Sequence, residues 1–168
     1  MYFRRQTMLK KLTVGITIAI FSILMGVLPM HTVLAASSDN AIQDTKKAAQ
    51  YFEDELNFKT NPYGVKNILD SKVKNVTIVD VRAAKDYAEG HIPGAINVPY
   101  EKYNSFNGDE TEFPGLRKDG FNYVYCYELL CNLGQKAGKK FAAAGYPVKE
   151  IVGGFESWKE KDYPIDRS

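Results

Sequence analysis

Cysteine is scarce in this chain: its 168 residues include two, Cys126 and Cys131, both inside one six-residue stretch. Two thiols so close together cannot build the disulfide framework of a small stapled fold, so a core here must rest on apolar burial. Their shared position is where chemistry or a local bridge would place them. A basic stripe with interleaved aromatics is also missing, which argues against nucleic acid as a partner. The formal charge of +2 comes from the start of the chain, where Arg4, Arg5, Lys10 and Lys11 face no acid; without those four, 18 basic side chains meet 20 acidic ones. Internal repeats and low-complexity tracts are absent too. What remains, 45% hydrophobic and 25% charged, suits one ordinary soluble domain.

The leader carries the compartment signal. Met1 to Lys11 is basic, Leu12 to Leu28 is an uncharged apolar run, and Pro29 ends it. Val33-Leu34-Ala35 then places small residues at the −3 and −1 positions of a cut before Ala36. That order predicts a secretory signal peptide over residues 1–35 and an exported mature protein, secreted, periplasmic or held at the cell envelope. An uncleaved leader would instead be an anchor, since its 17 apolar residues approach the shortest membrane span. The membrane enters only in that case.

Residues 36–57 are expected to form a helical extension, with Ala41, Thr45, Ala48, Ala49, Phe52 and Leu56 on one side of a helix. Residues 58–168 form the main domain. Within it Pro62 starts a helix running to about Lys72, and the β-branched run Val76–Val81 predicts a buried strand. Ala83–Glu89 makes a short helix, Ala95–Val98 a short strand, and the polar stretch 103–120 a long surface excursion. Phe121–Cys126 is a third strand. Asn132–Ala144 is a helix with Leu133, Ala137, Phe141 and Ala144 inward and Lys136, Lys139 and Lys140 outward. Gly145 stops it. Val148–Val152 is a fourth strand, followed by a helix over Phe155–Lys161. Strands alternating with helices predict an α/β sandwich around a mostly parallel sheet, with helices on both faces.

Cys126 stands where the third strand gives way to a short loop and a helix start. In parallel α/β sheets, sites form beyond the carboxyl ends of the strands. Loop amides and the positive end of a helix dipole can hold an anion there, and the same field would lower a thiol pKa. Cys126 is therefore the candidate nucleophile, with Tyr127, Glu128, Leu129, Leu130, Cys131 and Asn132 as its loop.

Asp80-Val81-Arg82 and Tyr87-Ala88-Glu89-Gly90-His91-Ile92-Pro93-Gly94-Ala95-Ile96-Asn97-Val98-Pro99 resemble the first signature of rhodanese-like domains. Gly145-Tyr146-Pro147-Val148 and Val152-Gly153-Gly154-Phe155-Glu156-Ser157-Trp158 resemble the closing one. The likeness spans about Pro62 to Tyr163. It implies a rhodanese-like three-layer sandwich and sulfur transfer, with Cys126 carrying sulfane sulfur as a persulfide cradled by amides of residues 127 to 131. It implies a sulfane donor and a thiol acceptor as partners, small molecule or protein, and no metal or organic cofactor.

Asp80 and Arg82 sit at a strand end, where they can pair with each other or with loop carbonyls and Glu128, and are read as supports that orient the loop. In the family's pattern His91 falls in a structural turn; Gly90, Gly94, Gly153 and Gly154 fall at backbone-geometry positions, and Trp158 in the core. Two departures matter. Thiosulfate-using members often carry basic loop residues; this loop has Glu128, Leu129 and Leu130 instead, which favours an apolar or protein-borne donor. The related phosphatases end a longer loop in arginine, and no arginine lies between Arg117 and Arg167, which excludes their chemistry. Cys131 is open to two readings, a partner for Cys126 in disulfide or persulfide chemistry or a small residue filling the helix start. A thiol-disulfide or redox protein and a non-catalytic binding module on the same scaffold stay beside sulfur transfer as alternatives.

Overall fold

The computed structural model describes residues 44–168; the leader and cut site expected over 1–35 lie outside the described residues. Five strands, β1 (Lys59–Thr60), β2 (Val76–Asp80), β3 (Ile96–Asn97), β4 (Phe121–Tyr125) and β5 (Val148–Ile151), form one sheet in the order β1-β5-β4-β2-β3. Every pairing is parallel. Five α-helices connect or flank them: α1 (Thr45–Phe58), α2 (Pro62–Asp70), α3 (Ala84–Glu89), α4 (Leu133–Ala143) and α5 (Gly154–Lys159). This is the rhodanese-like α/β sandwich that the signatures imply, with one strand more than the alternation predicts. The extra strand is β1, two residues pairing Lys59 with Glu150 and Thr60 with Ile151 at the sheet edge. Two residues are too short to show a period of two, so the sequence offers no pattern for it.

Alternation along the strands splits the core between the two faces. Val79 and Val124 pack with Phe141 and Ala137 of α4, while Ile78, Tyr123 and Tyr125 pack with Val65 of α2 and with Phe155 and Trp158 of α5. Trp158 is fully buried and its Nε1 donates to the Pro164 carbonyl at 2.7 Å. Helix α4 ends as predicted. Gly145 takes φ +85°, and the amides of Gly145 and Tyr146 close on the carbonyls of Ala142 and Phe141 at 3.0 Å each, a Schellman stop.

The stretch 103–120 departs from the surface excursion expected of it. Tyr103, Phe106 and Phe113 are buried, and Phe113 meets Phe141 with ring centroids 4.6 Å apart. The polar residues between these aromatics hide an irregularly spaced apolar set that covers one face of the sheet. Lys140 differs as well: instead of facing water it reaches the Gly108 carbonyl and ties α4 to this segment.

On α1 the structure buries no residue, and Phe52 and Leu56 are exposed. The amphipathic pattern there is not used within the described residues. None of the described helices is long and apolar enough to cross a membrane.

Candidate active site

The carboxyl ends of β2 and β4 lie side by side, with Asp80 opposite Tyr125, and Cys126 follows directly. The chain then turns, the Cys131 amide donating to the Glu128 carbonyl at 3.1 Å, and enters α4. Asn132 precedes the helix without capping an amide through its side chain. The loop is clamped from the other side by α5. The amides of Phe155 and Glu156 donate to the carbonyls of Cys126 and Tyr127 at 2.9 and 2.8 Å. These are amides that no turn of their own helix can satisfy, so the loop carbonyls complete the helix start.

Cys126 is 4% exposed and opens on a cavity of 100 Å³. Glu128, Leu129 and Cys131 from the predicted loop share that lining, joined by Lys59, Gln135 and Glu150. The last three come from β1, α4 and β5, and no local motif marks them. Leu130, 86% exposed, and Asn132 are outside the lining. Tyr127 turns away: its hydroxyl donates to Asp86 and accepts from the Ala83 amide at 3.1 Å. Tyr127 and Arg82 border a separate cavity of 510 Å³, and Glu128 lies between the two, lining both.

The Cys126 thiol behaves opposite to the expectation from strand-end position. Burial pushes it up to about 12, and a side-chain hydrogen bond with Cys131 adds to the rise. The amides of Gly134 and Tyr127 act in the expected, lowering direction but do not outweigh the loss of water. The resting thiol is thus neutral, its Sγ donating to the Cys131 carbonyl at 3.0 Å.

Charge around the cavity is mostly acidic. Glu150 is raised from the usual carboxyl range, first by burial, with Lys59 and Gln135 acting against it. Lys59 is itself tied to Glu55 in an ion pair, and that hydrogen bond is the main reason its ammonium is raised.

Asp80 and Arg82 form a buried pair. The guanidinium reaches both carboxylate oxygens, Nη2 at 2.6 Å, and gives a further bond to the Gly90 carbonyl at 2.6 Å. Burial alone would lower the guanidinium; the bonds and charge of Asp80 outweigh it and hold it above its ordinary value. Arg82 also stacks 4.0 Å from the Phe155 ring. Its partners are therefore Asp80 and Gly90, not Glu128. His91 is buried, its Nδ1 2.8 Å from the Tyr87 carbonyl and its ring stacked on Tyr87. Of the glycines in the signatures, Gly94, Gly145, Gly153 and Gly154 have positive φ, while Gly90 is extended and needs no left-handed freedom.

The sequence of Candida albicans adenylyltransferase and sulfurtransferase UBA4 is 31% identical over 106 residues, which cover 61% of this chain and 24% of that protein. The chain thus spans about a quarter of that relative. Thiosulfate sulfurtransferase GlpE of Coxiella burnetii is 30% identical over 52% of this chain and 76% of its own length. A Saccharomyces cerevisiae thiosulfate:glutathione sulfurtransferase is 32% identical over 56% of this chain and 72% of its own length. In three dimensions, a Bacillus halodurans protein superposes with a TM-score of 0.61 at 27% identity, covering 74% of this chain and 87% of that one. The rhodanese-like domain of an Anabaena protein does so with a TM-score of 0.53 at 27% identity, covering 66% and 79%. The model of the rhodanese-like domain matches residues 62–161, from the first turn of α2 to just past α5. With a cysteine at the end of the central strand and both signatures folded around its loop, the chain belongs to the rhodanese-like domain family.

Proposed function

We propose that this protein is an exported sulfurtransferase that carries sulfane sulfur as a persulfide on Cys126. The supporting observation is the placement of a buried thiol at the end of β4, opening on a 100 Å³ cavity, with the amides of Tyr127 and Gly134 acting to favour its anion. Deprotonated Cys126 attacks the sulfane sulfur, the donor's sulfur–sulfur bond breaks, and the remainder of the donor leaves as an anion. An acceptor thiolate then attacks the outer sulfur and restores Cys126. Loop amides that already act to favour the anion of Cys126 can hold the persulfide anion as well.

The donor is apolar or protein-borne. Glu128 and Glu150 flank the cavity, Lys59, the one cation in its lining among the described residues, is already paired, and Leu129 is 69% exposed beside it. Export follows from the order of regions in residues 1–35.

Cys126→Ser tests the reading. The variant is expected to fold normally by circular dichroism and to lose all sulfur loading from sulfane donors. Loading that survives the substitution would move the chemistry elsewhere. N-terminal sequencing of fractionated protein tests export: Ala36 is expected as the first residue, and an intact Met1 in membranes would establish an anchor.

A further inference from the structure

Cys131 has no part in the transfer cycle above, yet the fold holds it against the nucleophile. Its carbonyl accepts from Cys126 Sγ at 3.0 Å, and both residues line the same 100 Å³ cavity. Both are free thiols; Cys126 is buried, whereas Cys131 is partly exposed. The turn closed by the Cys131 amide on Glu128 folds the intervening loop back and brings the Cys131 backbone to the Cys126 sulfur.

We propose that Cys131 is a resolving thiol that discharges the Cys126 persulfide as hydrosulfide and leaves a Cys126–Cys131 disulfide. The inference rests on the reading of Cys126 as a persulfide carrier. Cys131 loses its proton to solvent and its sulfur attacks Cys126 Sγ, forming one sulfur–sulfur bond. The bond from Cys126 Sγ to the sulfane sulfur breaks, and its electron pair leaves on hydrosulfide. In this step Cys131 is oxidised and the outer sulfur reduced by one electron each while Cys126 Sγ is unchanged; over loading and discharge together, the sulfane sulfur takes the two electrons that the two thiols give up. An external dithiol reductant, becoming a disulfide itself, returns both cysteines to thiols. The activity gained is reduction of sulfane sulfur to sulfide.

The choice of sulfur follows from the leaving groups. Attack on the outer sulfur would pass the persulfide to Cys131 and expel the Cys126 thiolate. The fold sets Sγ, not the outer sulfur, against Cys131, and burial makes the Cys126 thiolate a slow leaving group for Cys131 and for an external acceptor alike. Attack on Sγ expels hydrosulfide, the anion of a much stronger acid. The same asymmetry protects the product. A reductant entering from the exposed Cys131 side must also expel the Cys126 thiolate, so the disulfide lives long enough to trap.

The test uses the full chain, reduced, exposed without oxygen to glutathione persulfide and then desalted. Intact mass and released sulfide are followed together. The parent is expected to end about 2 Da below the reduced mass, with one equivalent of sulfide per chain. Cys131→Ser is expected to keep a gain of about 32 Da and to release sulfide at least about tenfold more slowly until an external thiol is added. Cys131→Ala repeats the arm should the serine disturb the loop. A parent that holds the heavier adduct as long as either variant overturns the resolving role and leaves the persulfide carrier standing. No mass change in the parent or the Cys131 variants overturns both.

Discussion

A Cβ on Gly154 would stand 2.6 Å from the carbonyl oxygen of Cys126, the same oxygen that accepts from the Phe155 amide at 2.9 Å. Gly154 also holds φ +58°. The start of α5 thus approaches the backbone of the nucleophile as closely as an unsubstituted carbon permits. Gly154→Ala is expected to cost about 1–3 kcal/mol through backbone strain and overpacking. It should slow sulfur loading by more than the lost stability explains, because the displaced atoms belong to the cysteine itself. Urea denaturation and loading rate, measured on one preparation, separate the two effects. A variant with parental loading would show that the clamp does not position Cys126.

The Cys126 thiol makes a pH prediction with a definite sign. In the unfolded chain it titrates near ~8.5, and in the fold near about 12. The folded state therefore keeps a proton that the unfolded state gives up. Its contribution to stability is complete below pH ~8.5 and is lost as pH rises toward the folded value. Between pH ~8.5 and ~10 the parent should lose roughly 2 kcal/mol more than Cys126→Ser, a difference in which the tyrosines common to both chains cancel. Alkylation of Cys126 should also keep accelerating across that window without a plateau. A plateau near neutrality would mean that the loop amides outweigh burial after all.

Asp80 and Arg82 predict a stability effect rather than a kinetic one. Asp80→Ala leaves a guanidinium that is 4% exposed without its carboxylate. Breaking one side of a buried pair costs about 3–5 kcal/mol. Chemical denaturation measures this, and a loss below about 1 kcal/mol would show that water or the Gly90 carbonyl suffices to satisfy the arginine.

Glu128 tests the donor reading. Arg82 is committed to Asp80, and among the described residues no ion pair neutralises the loop carboxylate. Glu128→Arg is expected to raise kcat/KM for thiosulfate roughly threefold to tenfold at low ionic strength, with the gain shrinking as salt is added. An uncharged persulfide donor should respond little. Equal thiosulfate rates in parent and variant at low salt would move attention to Leu129 or to access through the narrow cavity.

Much of this site was legible before any coordinates. The run Phe121–Tyr125 followed by a cysteine places a thiol at a strand end, because β-branched and aromatic residues favour the pleated sheet and Leu133–Ala143 has a helical period. Gly145 and Pro147 mark the end of that helix for reasons internal to the backbone. The aromatic cluster of Tyr103, Phe106 and Phe113 was not legible, because its members follow no regular spacing and are separated by polar residues. Lys59 and Glu150 were not legible either. They reach the cavity only because β1 pairs with β5, and nothing local in either segment points toward Cys126.

The sequence alone determined the family signatures, the order of the four longer-patterned strands and helices, and the place of a thiol after the third of those strands, since each depends on neighbours within a few positions of the chain. Only the tertiary structure decided the state of that thiol. A helix start and loop amides argue locally for a lowered pKa, but the burial that overrules them is contributed by segments distant in sequence. The partner of Arg82 was decided the same way, among candidates that the sequence ranked equally. Desolvation and pairing sum over everything that surrounds a group, and a chain lists its neighbours in one dimension only.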